Sequence, residues 1–126
     1  MATGARGEGF LTIDGEQVPI LFTLRALAEA EGVLNKSVTE LLRGAMERNL
    51  GIGDTAQLLR IGLEHARQDR GGRYNSYTMR EVWQILDQLG FAAVAIVVLE
   101  AISAVLSFST EKAEDEGDAD HNPPVE

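Results

Sequence analysis

The residue types that most often perform chemistry in proteins are sparse in this chain, and their spacing assembles no catalytic or metal site. The chain has no cysteine, which excludes thiolate ligands, disulfides and cysteine nucleophiles. One histidine, His65, follows Glu64 in a segment of helical pattern, and the other, His121, lies in an acidic segment. Neither has a second histidine or a cysteine in helical register. We therefore interpret His65 as part of a solvated helix face and predict no metal site and no cofactor.

The glycines and serines do not indicate a phosphate loop or a nucleophile. Gly51 and Gly53 precede a helical segment, but no strand leads into them and no Lys-Ser/Thr pair follows. Asp54 would also occupy the helix N-terminus where a phosphate binds. A serine triad lacks a suitable histidine, because one of the two lies in the tail. The sequence therefore predicts no catalytic residue and a protein that is not an enzyme.

A single segment combines basic and aromatic residues, and it supports an alternative function. Its members are Arg67, Arg70, Arg73, Tyr74 and Tyr77. Such a segment can contact phosphates and stack on bases, as a small regulator that binds single-stranded nucleic acid would. The other interpretation is an interhelix loop whose arginines pair with acids. The formal net charge of -9 and the presence of only two lysines oppose nucleic-acid binding, because such proteins present a basic face.

A β-hairpin is the first element that the pattern predicts. Asp14-Gly15 separates the apolar runs Phe10–Ile13 and Val18–Phe22, and this dipeptide favours a type I′ turn. Pro19 cannot donate to a sheet ladder, so its strand should be an edge strand. Because an isolated hairpin is only marginally stable in water, we expect this one to lie against helices.

Four or five helices are predicted behind the hairpin. Capping residues predict four helix starts: Thr23, Ser37 with Glu40, Asp54 with Gln57, and Thr78 with Glu81. Gly32 and Gly90 are predicted to end the first and the fourth helix. The predicted fold is mainly α (α+β), with an N-terminal hairpin followed by a small helical bundle. We expect disorder in residues 1–8, a single domain over residues 9–108, and a disordered acidic tail over residues 109–126, which carries most of the net charge.

The last predicted helix, Phe91–Leu106, is apolar at 14 of its 16 residues. It is short for a membrane span, it has Glu100 near its middle, and no basic cluster flanks it, so we predict no membrane insertion. A narrow polar stripe of Glu100, Ser103 and Ser107 leaves the other sides apolar. Such a helix is buried in its own core, with Phe91, Val94, Val98, Ile102 and Val105 as the inner side, or in a partner. Because Ile96 and Leu99 then lie on other sides, we predict a homo-oligomer. The predicted protein-binding residues are Phe91, Val94, Ile96, Val97, Val98, Leu99, Ile102 and Val105.

The order of these segments resembles a known family. The hairpin is followed by LRALAEAE at Leu24–Glu31 and by LLRIGL at Leu58–Leu63, behind a Gly-Asp opening. This arrangement resembles the small tail-assembly proteins of long-tailed phages, prophages and gene transfer agents. The resemblance covers residues 8–106.

The resemblance implies a mostly helical chaperone that binds the tape-measure protein and recruits tail-tube subunits. It also leaves a tail-tube structural component as an alternative, because some similar proteins have that role. No catalytic residue is implied. The absence of cysteine and of an apolar leader in the first residues predicts a cytoplasmic location, in the host cell if a phage encodes the chain.

Overall fold

The computed structural model describes residues 7–47, 49–71 and 76–121 of the chain, with side chains as far as Phe108. Its elements are β1 (Glu8–Ile13), β2 (Glu16–Leu21), α1 (Leu24–Leu34), α2 (Val38–Met46), α3 (Ile52–Asp69), α4 (Met79–Leu89) and α5 (Phe91–His121). The two strands form one antiparallel pair. The predicted mainly α fold, with an N-terminal hairpin followed by helices, is confirmed.

The hairpin turns at the predicted dipeptide. Asp14 and Gly15 have φ angles of 52° and 82°, and two positive φ angles are what a type I′ turn requires. Phe10 lies opposite Pro19. In a hairpin closed by a two-residue turn, this pair falls at a position without ladder hydrogen bonds, so the missing N–H of proline costs nothing there.

The hairpin also begins earlier than the sequence predicted. Glu8 belongs to β1, and the carbonyl of Gly7 accepts a hydrogen bond of 2.8 Å from the N–H of Phe22. The disorder predicted for residues 1–8 is therefore wrong for these two residues. Residues 1–6 lie outside the described part of the chain.

Three of the four predicted helix starts are confirmed. Thr23 accepts a hydrogen bond from the N–H of Ala26, and full capping boxes open α2 and α4. The start predicted at Asp54 is wrong. Gly51 is the N-cap of α3 and makes no side-chain hydrogen bond, while Asp54 lies in the first turn and forms a 2.7 Å ion pair with Lys36. A carboxylate stabilises the first turn of a helix as well as it caps one, so its position was ambiguous.

Two predicted helix ends have different outcomes. Gly90 ends α4 with a φ of 93°, as predicted. Gly32 does not end α1, which continues to Leu34 and ends where Asn35 adopts the left-handed conformation with a φ of 56°. The N–H of Asn35 donates to the carbonyl of Glu31. Asparagine tolerates this conformation almost as glycine does, and it takes the capping role here.

The C-terminal helix is longer than its apolar segment. The sequence predicted an element that ends at about Leu106, whereas the backbone of α5 is helical from Phe91 to His121. Residues 122–126 lie outside the described part of the chain. The disorder predicted for residues 109–126 stays a prediction.

Helix α3 forms the centre of the domain. Strand β2 and helices α1, α4 and α5 all pack against it. Leu58, Leu59 and Ile61 are fully buried, since neighbours cover α3 on several sides. The end of the hairpin and the residue after it approach α3 closely at Gly62, where a Cβ atom would lie 2.8 Å from the ring of Phe22.

A single residue, Gly90, joins α4 to α5. Near the end of α4, the side-chain amide of Gln88 donates a 2.8 Å hydrogen bond to the carboxylate of Asp14 in the hairpin turn. Helix α5 in turn packs against both α3 and β1. The C-terminal half of the domain is therefore attached to the N-terminal hairpin through two elements.

We expect Gly62→Ala to lower the free energy of unfolding by about 1–2 kcal/mol. Alanine favours a helix over glycine by about 1 kcal/mol, but overpacking a core costs about 1–3 kcal/mol. The new methyl group would meet the fully buried ring of Phe22 and the Cβ of Ile20 at 3.2 Å. Urea unfolding followed by circular dichroism measures the change.

The matched control is Gly32→Ala in α1. Nothing lies within 4 Å of the Cβ that this substitution adds, and Gly32 is exposed in the helix. Only the gain in helix propensity acts there, so the control variant should be as stable as the wild type or more stable. Equal stabilisation of both variants would contradict the close packing at Gly62.

Candidate interaction surface on the C-terminal helix

One side of α5 belongs to the core of the domain. Val94, Val98 and Ile102 are fully buried, and Val105 is nearly so. This side contacts α3 and β1. These four residues were predicted to bind a partner protein, but they cannot reach one in this fold. The alternative prediction, in which they form the side that α5 buries in its own core, is confirmed for these four residues.

The other side of α5 faces water. Ile96, one of the predicted protein-binding residues, is 57% exposed. Phe91, another of them, is 37% exposed at the start of the helix, but it precedes Val94 and Val98 at helical spacing and therefore lies on their side of α5. Leu99 is half-buried. Val97 is also half-buried, but it packs against Gly9 of β1 and the core, so it belongs to the edge of this surface. The predicted polar stripe is confirmed, since Glu100, Ser103 and Ser107 are all exposed.

By length and composition, residues Phe91–Phe108 of α5 form the only segment of the described chain that could cross a membrane. The same segment supplies a side of the core, as described above. Helices buried in soluble proteins often satisfy this criterion, so it is weak evidence for a membrane span.

The alternative nucleic-acid site is partly assembled. Arg67, Arg70 and Tyr77 line a common cleft of about 250 Å³, together with Pro19 and Leu63. Arg73 and Tyr74 lie outside the described residues. An adjoining cleft of about 370 Å³ shares Arg70, but it also contains the carboxylates of Glu8 and Asp69. The clefts therefore do not form a uniformly basic surface.

Glu64 neutralises one of these arginines. Its carboxylate accepts a 2.9 Å hydrogen bond from Nη2 of Arg67 and a 2.6 Å hydrogen bond from the backbone N–H of Tyr77. The Glu64 side chain is 12% exposed. The Arg67 guanidinium, with help from the Tyr77 N–H, holds the pKa of the Glu64 carboxyl below its usual range. Glu64 thus holds the start of the segment that leads into α4, and Arg67 pairs with an acid, as the interpretation with paired arginines predicted.

His65 is buried, so its prediction as part of a solvated helix face is wrong. Its Nε2 lies 2.8 Å from Oε1 of Glu29 in α1, and its side chain is 9% exposed. The sequence contained a signal for this burial. Leu58, Ile61 and His65 follow one another at intervals of three and four residues. His65 therefore continues the apolar side of α3.

The described residues contain no group of three or more His, Cys, Asp or Glu side chains that could hold a metal ion. Comparisons of the chain with protein-family models, with curated proteins and with solved structures find no match.

We expect Glu64→Gln to lower the free energy of unfolding at pH 7 by about 1–3 kcal/mol. The amide keeps the size of the side chain but loses the carboxylate charge, and its NH2 group replaces one of the two oxygens that accept from Arg67 and Tyr77. Hydrogen bonds to charged groups contribute about that amount. Because the folded-state pKa of Glu64 is lowered, its stabilising effect is complete above the unfolded pKa of about 4.3 and is lost as the pH falls through the folded value.

Urea unfolding at pH 7 and at pH 3 measures this effect, with Glu47→Gln on an exposed side chain as the control. The difference between wild type and Glu64→Gln should shrink at the lower pH. A difference that is independent of pH would show that the ion pair is not its source.

We expect no RNA binding at 150 mM salt. Arg67 is engaged by Glu64, and counterion release from the remaining arginines of this cluster gives little affinity. Fluorescence anisotropy with a labelled single-stranded RNA, titrated at 50 and 150 mM salt, measures binding. Sub-micromolar binding that falls with salt and disappears in Arg70→Ala would contradict this expectation and favour the nucleic-acid regulator.

Proposed function

We propose that this chain is a non-enzymatic tail-assembly chaperone, as its resemblance to the small tail-assembly proteins of phages and gene transfer agents implies. In this proposal it binds the tape-measure protein in the cytoplasm and recruits tail-tube subunits to it. The observation that carries the proposal is the water-facing side of α5, where Ile96 is exposed on a folded domain.

An exposed side of this composition suits an amphipathic helix as its partner. Helix recognition places apolar side chains of one element against an apolar surface of another, with anchors spaced by three and four residues. Between Phe91 and Phe108, Glu100 is the only charged residue of α5. Few charges need to be desolvated when a partner covers this side, and the resulting contact excludes water at low electrostatic cost. A long helical tape-measure protein offers many such segments.

The packing of α5 supports a soluble role over a membrane span. Inserting residues 91–108 into a bilayer would withdraw Val94, Val98 and Ile102 from the domain and leave α3 and β1 uncovered. Glu100 would also enter the apolar layer, where a carboxylate is costly. The energetic balance therefore favours a helix that stays in its domain.

The tail-tube alternative has less support. Proteins that close into rings or tubes through strand pairing need a substantial sheet, whereas the sheet in the described part of this chain has two strands. Pro19 has no N–H to donate on the outer edge of β2, which disfavours the pairing of a further strand there. We therefore favour the chaperone over the structural component.

Co-purification tests the proposal. The tagged chain is co-expressed with the tape-measure protein that the proposal requires in the same genome, and we expect the two to be retained together. Ile96→Glu should reduce retention at least tenfold, because a carboxylate on the contact surface must be desolvated. The matched control is Ile52→Glu in the first turn of α3, since Ile52 is 56% exposed and Ile96 is 57% exposed.

Circular dichroism establishes that both variants fold. Retention that Ile96→Glu leaves unchanged, or that both variants weaken equally, would contradict a specific contact on α5. Absence of retention with the wild type, for both the tape-measure and the tail-tube proteins, would contradict the proposed function.

A further inference from the structure

The water-facing side of α5 has a second property, which is the spacing of its residues. Ala92, Ile96, Leu99, Ser103 and Leu106 follow one another at intervals of four, three, four and three residues. This is the heptad spacing with which one helix pairs with another along a seam. Ala92, Ile96 and Ser103 are exposed, and Leu99 and Leu106 are half-buried. We refer to these five residues as the α5 seam.

We propose that the α5 seam pairs with the α5 seam of a second copy of this chain, with the two helices antiparallel. The inference does not depend on the tail-assembly function, because it concerns the chain alone. The occupant is inferred from the spacing, from the order of large and small residues, and from the distribution of charge along α5.

The order of residue sizes suits an antiparallel copy. When the two helices are aligned about the midpoint between Ile96 and Leu99, Ile96 of each copy meets Leu99 of the partner subunit. Two apolar layers then lie at the centre of the contact. Each end has a layer in which Ala92 meets Ser103 of the partner subunit, and small residues there let the helices approach closely.

The charge of α5 decides the orientation. Between Glu111 and His121 the helix carries six acidic residues and one lysine. A parallel pair would hold two such segments side by side, and like charges on neighbouring helices repel. An antiparallel pair places them at opposite ends. Glu100 lies beside the seam at its exposed margin, so neither orientation buries it.

The dimension of the seam sets the strength of the association. From Ala92 to Leu106 it extends about 21 Å at a rise of about 1.5 Å per residue. A contact of this length buries less than the roughly 1,200–2,000 Å² of a stable interface. We therefore expect a reversible dimer with a Kd in the micromolar range.

Sedimentation velocity of the full chain between 5 and 300 µM tests the association. We expect a monomer at the low end, a dimer at the high end, and a Kd raised at least tenfold by Ile96→Glu. Ile52→Glu, with the same change in charge on an equally exposed isoleucine, should dimerise as the wild type does. A wild type that stays monomeric at 300 µM would overturn the proposal, as would equal weakening by both variants.

Disulfide cross-linking tests the orientation, and the natural absence of cysteine makes every introduced thiol unique. A mixture of Ala92→Cys and Ser103→Cys should cross-link between the two variants, because an antiparallel pair brings these positions together. Ala92→Cys alone should not, since its two copies would lie about 16 Å apart along the axis, beyond the reach of a disulfide. Efficient cross-linking of Ala92→Cys alone, without the mixed product, would overturn the antiparallel arrangement.

Two further measurements distinguish a second copy of the chain from a lipid surface and from a tail protein as the partner of the α5 seam. Flotation with phosphatidylcholine vesicles should leave the chain unbound; binding that requires Ile96, in a chain that remains monomeric, would assign the surface to lipid and overturn the proposal. Partner retention at nanomolar concentration, where the chain is monomeric, reports on tail assembly alone. Failure of that assay together with a normal dimer would reject the proposed function and leave the dimer in place.

Discussion

The close contact between the hairpin and α3 at Gly62 is the constraint on which the domain depends. Gly62 has no side chain, so Phe22 and Ile20 at the end of the hairpin reach the backbone of the central helix. A two-stranded hairpin is marginally stable alone, and this contact supplies the apolar surface that it needs. In this position the hairpin covers one side of α3, and α1, α4 and α5 cover other sides. Strand β1 packs against α5. Which side of α5 is covered, and which faces water, therefore depends through these contacts on the absence of a side chain at Gly62.

Short-range signals in the sequence predicted the structure best. Asp14-Gly15 and the two capping boxes depend on residues within three positions of one another, and tertiary contacts did not override them. The errors at Gly32 and Asp54 have a different origin. Glycine can continue a helix or end it, and an aspartate can cap a helix or lie in its first turn, so the choice depends on neighbours such as Asn35 and Lys36.

The candidate site was harder to predict because it depends on contacts distant in the sequence. His65 is buried beside Glu29, which precedes it by 36 residues, and Glu64 binds Tyr77, which follows it by 13 residues. The sequence around His65 and Glu64 does not indicate that Glu29 and Tyr77 are their partners. The apolar segment of α5 was recognised and its polar stripe indicated the exposed side, but the sequence did not indicate whether the remaining apolar surface belongs to the core or to an interface. Val98 and Ile96 are equally apolar, and the fold buries the first and exposes the second.

The joint between α4 and α5 has a mechanical consequence. One residue, Gly90, separates two helices, and its φ of 93° sets the angle between them. Because a single residue joins them, a displacement of the start of α5 also displaces the end of α4. Helix α5 is thus linked directly to α4. Through the hydrogen bond between Gln88 and Asp14, it is also linked to the turn of the hairpin. A protein bound on α5 would therefore be connected, through α4 and this hydrogen bond, to the turn near the N-terminal end of the domain.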